Sequence, residues 1–314
     1  MNLGKLLAGV AVVGVVAGCA SRRNGGTFEV LDRRRPTDAP VAEIAAIDKM
    51  TAEELFPHAE VFAEEGIRLP YRLHKPAVCA EKTRYPLVLF LHGAGACGTN
   101  NVRQLAHGVM PICRYAMKHG DAFIVAPQCP EGKKWVDVDW SAPTMERPNA
   151  PSEQMQAVMS LLKLLKGNYP IDGSRIYVTG LLMGGFGTWD IVWRMPGFFA
   201  AMMPVCGGVD TRRPEYYKDS NVHDLGIRFF HGGADTAVSP GYSRRMDKAL
   251  TDCGIIHSYT EYPGVGHDCW TQTYANEENL YWLFNRHRVV WDVHVTVSPN
   301  PKNVIECGEL KLKE

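Results

Sequence analysis

Seven consecutive residues, Tyr85-Pro-Leu-Val-Leu-Phe-Leu91, leave no polar face for solvent. A strand apolar on both sides of its pleat must be covered on both sides, as in a parallel sheet held between helices. The pattern recurs. Ala122–Ala126 is closed by Pro127 and Arg175–Thr179 by Gly180, and further runs follow at Phe199–Cys206, Ile227–Phe230 and His257–Tyr262. An earlier strand is predicted over Leu69–His74. Helical periods lie between the runs. In the clearest, Ser152–Lys166, the residues Met155, Val158, Met159, Leu162 and Leu165 share one stripe, and Gly167 and Pro170 stop the helix. Alternation of strand and helix from 85 to 287 specifies a single α/β domain. Its central sheet is mostly parallel, with helices on both faces and right-handed crossovers.

A chain of 314 residues is long enough to bury the core of such a domain. Its 34 basic side chains are matched by 34 acidic ones, so it lacks the basic excess that marks a nucleic-acid partner. There is no C-x-x-C, no H-E-x-x-H and no phosphate- or dinucleotide-binding glycine loop, so neither a metal nor a cofactor is expected.

The two ends read differently from the middle. Lys5 precedes an uncharged apolar stretch, Leu6–Ala17, that is shorter than the roughly 20 residues needed to span a membrane and suits a secretory signal. It ends Val16-Ala17-Gly18-Cys19, which resembles the lipobox of bacterial lipoproteins. That resemblance implies a signal peptide over 1–18 and a lipid anchor on Cys19, with Ala20 favouring an outer-membrane or surface address. Residues 19–45 read as a flexible tether and 46–288 as the domain. Over 289–314, Trp291, Val293, Val295 and Val297 alternate with polar residues, Pro299 and Pro301 break the pattern, and a second run reaches Leu310 and Leu312. This is the pattern of a hairpin added to the domain's edge.

Three chemical signals fall in one order. Leu91-His92-Gly93-Ala94-Gly95-Ala96 closes a strand. Val178-Thr179-Gly180-Leu181-Leu182-Met183-Gly184-Gly185 is a strand turning into a helix. His231-Gly-Gly-Ala-Asp235 and Gly264-Val-Gly-His267-Asp268-Cys-Trp270 each follow a later strand. Together they resemble the α/β-hydrolase fold, in particular secreted esterases similar to polyhydroxybutyrate depolymerases, feruloyl esterases and prolyl-oligopeptidase-like hydrolases, over about residues 60–288. The resemblance implies a G-x-S-x-G elbow with the nucleophile at 182, an aspartate at 235 that orients a histidine at 267, and an oxyanion hole from the N–H groups of Ala94 and Met183. It gives His92 the role of supporting the oxyanion loop. Asp235 also reads as a cap for the helix after Pro240, and His267 as an ordinary loop histidine.

The chain departs from this pattern at one position. The elbow reads G-L-L-M-G, and leucine has neither a proton to give nor a lone pair with which to attack. Among substitutes, Thr179 belongs to the strand and should point elsewhere, Thr188 should be buried on the helix, and nothing in the sequence activates Cys97 or Cys206. Trp135 and Trp140, in the loop after Ala126, read either as ligand-stacking residues or as loop packing. With Cys19 set apart, eight cysteines remain. The resemblance places Cys97 and Cys129 after adjacent strands and so suggests that pair as a disulfide.

Two functional expectations follow. One is a lipoprotein that keeps a carboxylic-ester hydrolase scaffold with its chemistry impaired or lost at Leu182. It would meet a small or polymeric ester, or an analogue of one, and touch the membrane through Cys19. The other is an active esterase or depolymerase lineage in which leucine at 182 is a recent or engineered substitution. A binding protein for a glycan, an ester or a protein partner is a variant of the first.

Overall fold

The computed structural model describes residues 41–64, 66–77, 83–218 and 224–288, together with 291–292 and 311–312. The signal over 1–18, Cys19 and the tether up to residue 40 lie outside the described residues. The first element, α1 (Val41–Lys49), begins five residues ahead of the expected domain boundary, so residues 41–45 are helical rather than tether. A short helix α2 (Ala52–Leu55) follows. It is fixed by a reciprocal cap in which Thr51 Oγ1 accepts from Glu54 N–H and the Glu54 carboxylate accepts from Thr51 N–H.

The expected strand near 69–74 is β2 (Ile67–His74), and it pairs antiparallel with β1 (His58–Glu64), which the sequence reading missed. No residue of β1 is fully buried, so its apolar signal is weak. It is an edge strand held by backbone pairing to β2, by Phe62 packed against the core and by the Glu60 carboxylate, which accepts from the Tyr71 hydroxyl and pairs with Lys75. Then come β3 (Tyr85–Leu91), α3 (Val109–Lys118), β4 (Phe123–Pro127), α4 (Glu153–Asn168), β5 (Ile171–Leu181) and α5 (Met183–Arg194). The second half adds β6 (Ala201–Val205), β7 (Gly226–Gly232), α6 (Gly241–Asp252), β8 (Ser258–Tyr262), α7 (Trp270–Ala275) and α8 (Glu277–Phe284).

The strands make one eight-stranded sheet in the order β1-β2-β4-β3-β5-β6-β7-β8. The pairs from β4 through β8 are parallel, and β1 and β2 supply an antiparallel edge. Strand β3 shows why its sequence is uniformly apolar. Leu87, Leu89 and Leu91 feed a core shared with Val158 and Leu162 of α4 and Trp189 of α5. Val88 and Phe90 feed a second core with Ile112 and Ala116 of α3 and Leu280 and Leu283 of α8. The sheet is thus covered on both faces, as expected. Helix α4 keeps its predicted stripe inward, with Ser152 Oγ capping Met155 N–H at 3.1 Å.

At the C-terminus, β9 (Trp291–Asp292) and β10 (Lys311–Leu312) pair antiparallel, Trp291 with Leu312 and Asp292 with Lys311. They form a two-stranded antiparallel sheet of their own, separate from the eight-stranded one. The rest of the extension lies outside the described residues.

The register levels the ends of the parallel strands. Leu91 and Pro204 both pair with Gly180, Leu181 with Val205, and Gly232 with Tyr262. Loops leaving β3, β5, β6, β7 and β8 therefore emerge at one rim of the sheet, the end where this kind of topology builds its sites.

Candidate active site

The turn between β5 and α5 is as sharp as the motif requires. Leu182 has φ 51° and ψ −116°, a region in which a leucine is strained, and it joins strand to helix without a loop. The turn is held by Leu182 N–H donating to Val205 O at 3.0 Å and by the close approach of the flanking glycines to β3. A Cβ on Gly184 would sit 1.8 Å from Leu91 O, and one on Gly180 2.6 Å from the same oxygen. Only hydrogen fits at either position. The Leu182 side chain is half-buried at the top of this turn.

Asp235 lies three residues beyond β7 and is buried. Its two oxygens do different work. Oδ1 accepts from Ala237 N–H at 2.8 Å and Val238 N–H at 3.0 Å, closing the loop ahead of α6. Oδ2 lies 2.8 Å from His267 Nδ1 and 3.3 Å from His231 Nε2. The Asp–His contact expected of Asp235 is present, but Asp235 does not cap the helix after Pro240: α6 begins at Gly241 with Pro240 at its cap and no side-chain bond there. Burial works against the ionised carboxyl, but donors from His231, His267, Val238 and Ala237 outweigh it and hold the group well below the ordinary aspartate range. His231, quoted in the motif but given no role, is thereby a positioning residue. It is buried, with its Nδ1 2.8 Å from Ser243 Oγ.

His267 follows β8, on the loop that α7 ends. Its ring meets Trp270 edge-on at 5.2 Å. Nδ1 is engaged by Asp235, while Nε2 is buried and has no hydrogen-bond partner among the described residues. That nitrogen is the one which takes a proton from an elbow nucleophile.

The oxyanion loop is built from β3 outward. Ala94 opens a 3-10 turn and Met183 opens α5, so both N–H groups belong to the unpaired first turn of a helix, and the α5 macrodipole adds to the second. His92 sits beneath them. Its Nε2 accepts from Cys129 N–H at 2.9 Å, so its Nδ1–H donates to Gly93 O at 2.7 Å. Burial lowers its pKa to about 4, which keeps the ring neutral. Gln128 ties the far side, donating to Ala96 O and Asn100 Oδ1.

The two tryptophans separate. Trp135 is completely buried and its Nε1–H donates to His92 O at 3.0 Å, so it braces the oxyanion loop and has no surface left for a ligand. This corrects its assignment as a substrate-stacking residue. Trp140 is half-exposed under the Lys134 ammonium, 4.5 Å from its ring centre.

The alternative nucleophiles stand as follows. Thr179 donates to Met203 O at 2.5 Å and meets Tyr274 Oη at 2.8 Å, pointing away from the elbow. Thr188 is spent on Gly184 O at 2.8 Å inside α5. Cys97 and Cys206 are free thiols. Cys206 Sγ, an Asp235 oxygen and a His267 nitrogen lie within 4.8 Å of one another, but Cys206 is wholly buried. Burial raises this thiol well above its usual range, the reverse of an activated nucleophile. The same three groups have metal-ligand identities, yet both Asp235 oxygens are already taken by protein donors.

A cavity of about 320 Å³ lies beside α5, lined by Phe186, Trp189, Asp190, Arg147, Val209 and Tyr217 among others. Leu182, Asp235 and His267 are not part of its wall.

Sheet order, elbow and Asp–His geometry define an α/β-hydrolase. The model of the phospholipase/carboxylesterase family matches residues 74–277, most of the described domain, and the chain belongs to that family. Its fold is similar to that of a thermostable esterase at 36% identity and TM-score 0.66, over 74% of this chain and 63% of the other. The chain thus spans less than two thirds of that esterase's length. A ferulic acid esterase aligns at 17% identity and TM-score 0.54 (72% of this chain, 96% of the other). S-formylglutathione hydrolase FrmB from Staphylococcus aureus aligns at 15% and 0.52 (73% and 98%). Among curated proteins, none matches.

Proposed function

We propose that this chain is an exported, lipid-anchored member of the carboxylesterase group whose hydrolytic step is blocked at Leu182, leaving a scaffold that still binds an ester or an analogue of one. The single observation that carries this reading is the orphaned Nε2 of His267, which sits behind an intact Asp235 bond and has a hydrocarbon side chain at the position of its proton donor.

The chemistry needs one atom that is missing. A hydroxyl at 182 would give its proton to His267 Nε2 as its oxygen attacks the ester carbonyl. Asp235 would stabilise the resulting imidazolium, and the N–H groups of Ala94 and Met183 would face the oxyanion. Leucine supplies neither proton nor lone pair, so no acyl-enzyme forms. The anchor at Cys19 follows from the Val16-Ala17-Gly18-Cys19 pattern and would hold the domain at an outer-membrane or cell surface.

One feature favours the second reading, an active lineage changed recently at 182. Leu182 keeps a strained φ of 51° that serves a nucleophile and offers a leucine nothing. The deciding measurement is hydrolysis of short p-nitrophenyl esters by the chain and by Leu182→Ser, each with and without His267→Ala. Turnover by the chain itself that His267→Ala abolishes would sink the proposed block. Turnover only in Leu182→Ser supports recent loss, and a dead revertant that still binds an ester analogue supports a settled binding protein.

A further inference from the structure

Four of the six described cysteines stand in two contacting pairs, one on each side of the site, although all six are free thiols in the structure. We propose that the protein carries two disulfides, Cys206–Cys269 and Cys97–Cys129, and that they fasten the two arms of the active site to the sheet.

The first pair lies behind the Asp–His couple. Cys206 is the residue immediately after β6, and its N–H donates to Phe230 O of β7 at 2.8 Å. Cys269 is the N-terminal cap of α7, and its N–H donates to His267 O at 2.9 Å. Both are fully buried in the same core, and their thiols touch. A bond between them would tie the residue two positions after the base directly to the strand beside the elbow. It would also remove a thiol that otherwise lies within 4.8 Å of Asp235 and His267.

The second pair lies behind the oxyanion loop. Cys97 ends the 3-10 turn that Ala94 opens, and Cys129 is two residues beyond β4. Backbone bonds already bring the two segments together: Gly98 N–H donates to Cys129 O at 2.9 Å, and Cys129 N–H to His92 Nε2 at 2.9 Å. The two thiols are in contact. A bond here would hold Gly93–Cys97 against the exit of β4.

Each bond forms by exchange with a low-molecular-weight or protein disulfide. A cysteine thiolate attacks one donor sulfur and expels the other as a thiolate. The second cysteine, deprotonated, then attacks the mixed disulfide and expels the remaining donor sulfur. Two protein thiols are oxidised and one donor disulfide is reduced to two thiols, the protons passing to solvent. The two sites differ in access. Cys97 is partly exposed, and the neighbouring Cys129 S–H stabilises its thiolate, so it is the attacking group, with buried Cys129 resolving. Cys206 and Cys269 are sealed, so their bond closes while the chain folds and resists reduction afterwards. The pairing stands on thiol contacts and does not depend on export.

The test is to refold the full chain in a glutathione redox buffer, alkylate without reduction, digest and map the peptides by mass spectrometry. Expected are cross-linked peptides Cys206–Cys269 and Cys97–Cys129, with Cys113 and Cys253 alkylated once the protein is denatured. Mild reductant on the folded protein should open Cys97–Cys129 alone, and Cys206–Cys269 should open only in denaturant. Alkylation of both Cys206 and Cys269, or their pairing with other cysteines, overturns the proposal. A parallel sample given Zn²⁺ alone guards against the competing chemistry. Stoichiometric zinc that is retained on the folded chain, blocks thiol oxidation and is lost in Cys206→Ser makes these residues ligands and overturns the disulfide. Thermal melting adds a readout independent of mapping. The oxidised chain should melt above the reduced one, and this gap should disappear in Cys97→Ser/Cys206→Ser, with equal melting of oxidised and reduced wild type counting against the fastening role.

Discussion

His267 Nδ1 lies 2.8 Å from Asp235 Oδ2, while its other ring nitrogen, Nε2, is buried with no partner among the described residues. Buried polar atoms are nearly always paired, and an unpaired ring nitrogen on a histidine whose other nitrogen faces a carboxylate has the arrangement of a proton acceptor. In the proposed reading, Leu182 stands where the proton donor belongs.

Leu182→Ser should therefore restore ester hydrolysis. The new Oγ would rise from a turn already at φ 51° and meet a base already oriented. Loss of a triad nucleophile costs on the order of 10⁴-fold to 10⁶-fold in rate, so recovery of at least ~10³-fold over the chain as it stands is expected with a p-nitrophenyl ester. Recovery below tenfold would mean that the oxyanion loop, too, has drifted.

In that revertant, Asp235→Asn should remove about 10⁴-fold of the recovered rate with little change in KM, because the amide cannot hold His267 in its working tautomer. His231→Gln should cost less, since its link to the site runs through Asp235 Oδ2 at 3.3 Å, while its closer partners are Ser243 Oγ and Val238 O. A greater loss from His231→Gln than from Asp235→Asn would reverse the assignment of roles.

Most of this site was legible in the sequence because each part sits where a strand ends, and apolar runs mark strand ends well. Gly180 lies at the end of β5, and Leu182, Asp235 and His267 follow β5, β7 and β8 within a few residues. The sequence leaves Trp135 between ligand stacking and loop packing because burial is a tertiary property. An indole in a long loop looks the same in sequence whether it faces a ligand or reaches under His92. Strand β1 was missed because an edge strand with no fully buried residue shows little apolar pattern, and its pairing to β2 depends on backbone that the sequence does not display. The Cys206–Cys269 contact joins residues 63 apart in sequence, and no local pattern announces such a meeting.

Trp135→Phe should delete one donor and shrink a fully buried indole to a phenyl ring, so a cavity adds to the cost. His92 O would lose its 3.0 Å partner inside the core, a loss of about 1–3 kcal/mol in unfolding free energy. In the Leu182→Ser background, kcat should fall more than KM rises, because His92 supports the loop that carries the Ala94 N–H. A rise in KM alone would return Trp135 to substrate contact.

Acid should destabilise the fold before it reaches the carboxylates. His92 has its pKa lowered by burial to about 4, against 6.5 for an exposed histidine. The unfolded chain thus takes up a proton there between pH 6.5 and 4 that the folded chain refuses, so stability is full above pH 6.5 and falls as pH drops through that window. The 2.5-unit gap corresponds to at most about 3–4 kcal/mol. Asp235, held well below its ordinary range, adds a further loss only below about pH 4. Urea unfolding at pH 7, 5.5 and 4 should show a falling midpoint, and a flat profile would place His92 in contact with water.

Gly184→Ala tests the elbow's packing without touching the chemistry. The added Cβ would lie 1.8 Å from Leu91 O and 2.4 Å from Leu91 C, both backbone atoms of the central strand. Neither can swing aside like a side chain, so α5 must lift from β3. Overpacking against flexible side chains costs about 1–3 kcal/mol, and a rigid backbone clash belongs at or beyond the upper end. Gly95→Ala is the control, because nothing lies within 4 Å of its would-be Cβ. In thermal melts Gly184→Ala should lose several degrees or fail to fold, and Gly95→Ala should match the parent. Similar melting of the two variants would show that the β5–α5 turn is looser than its glycine contacts require.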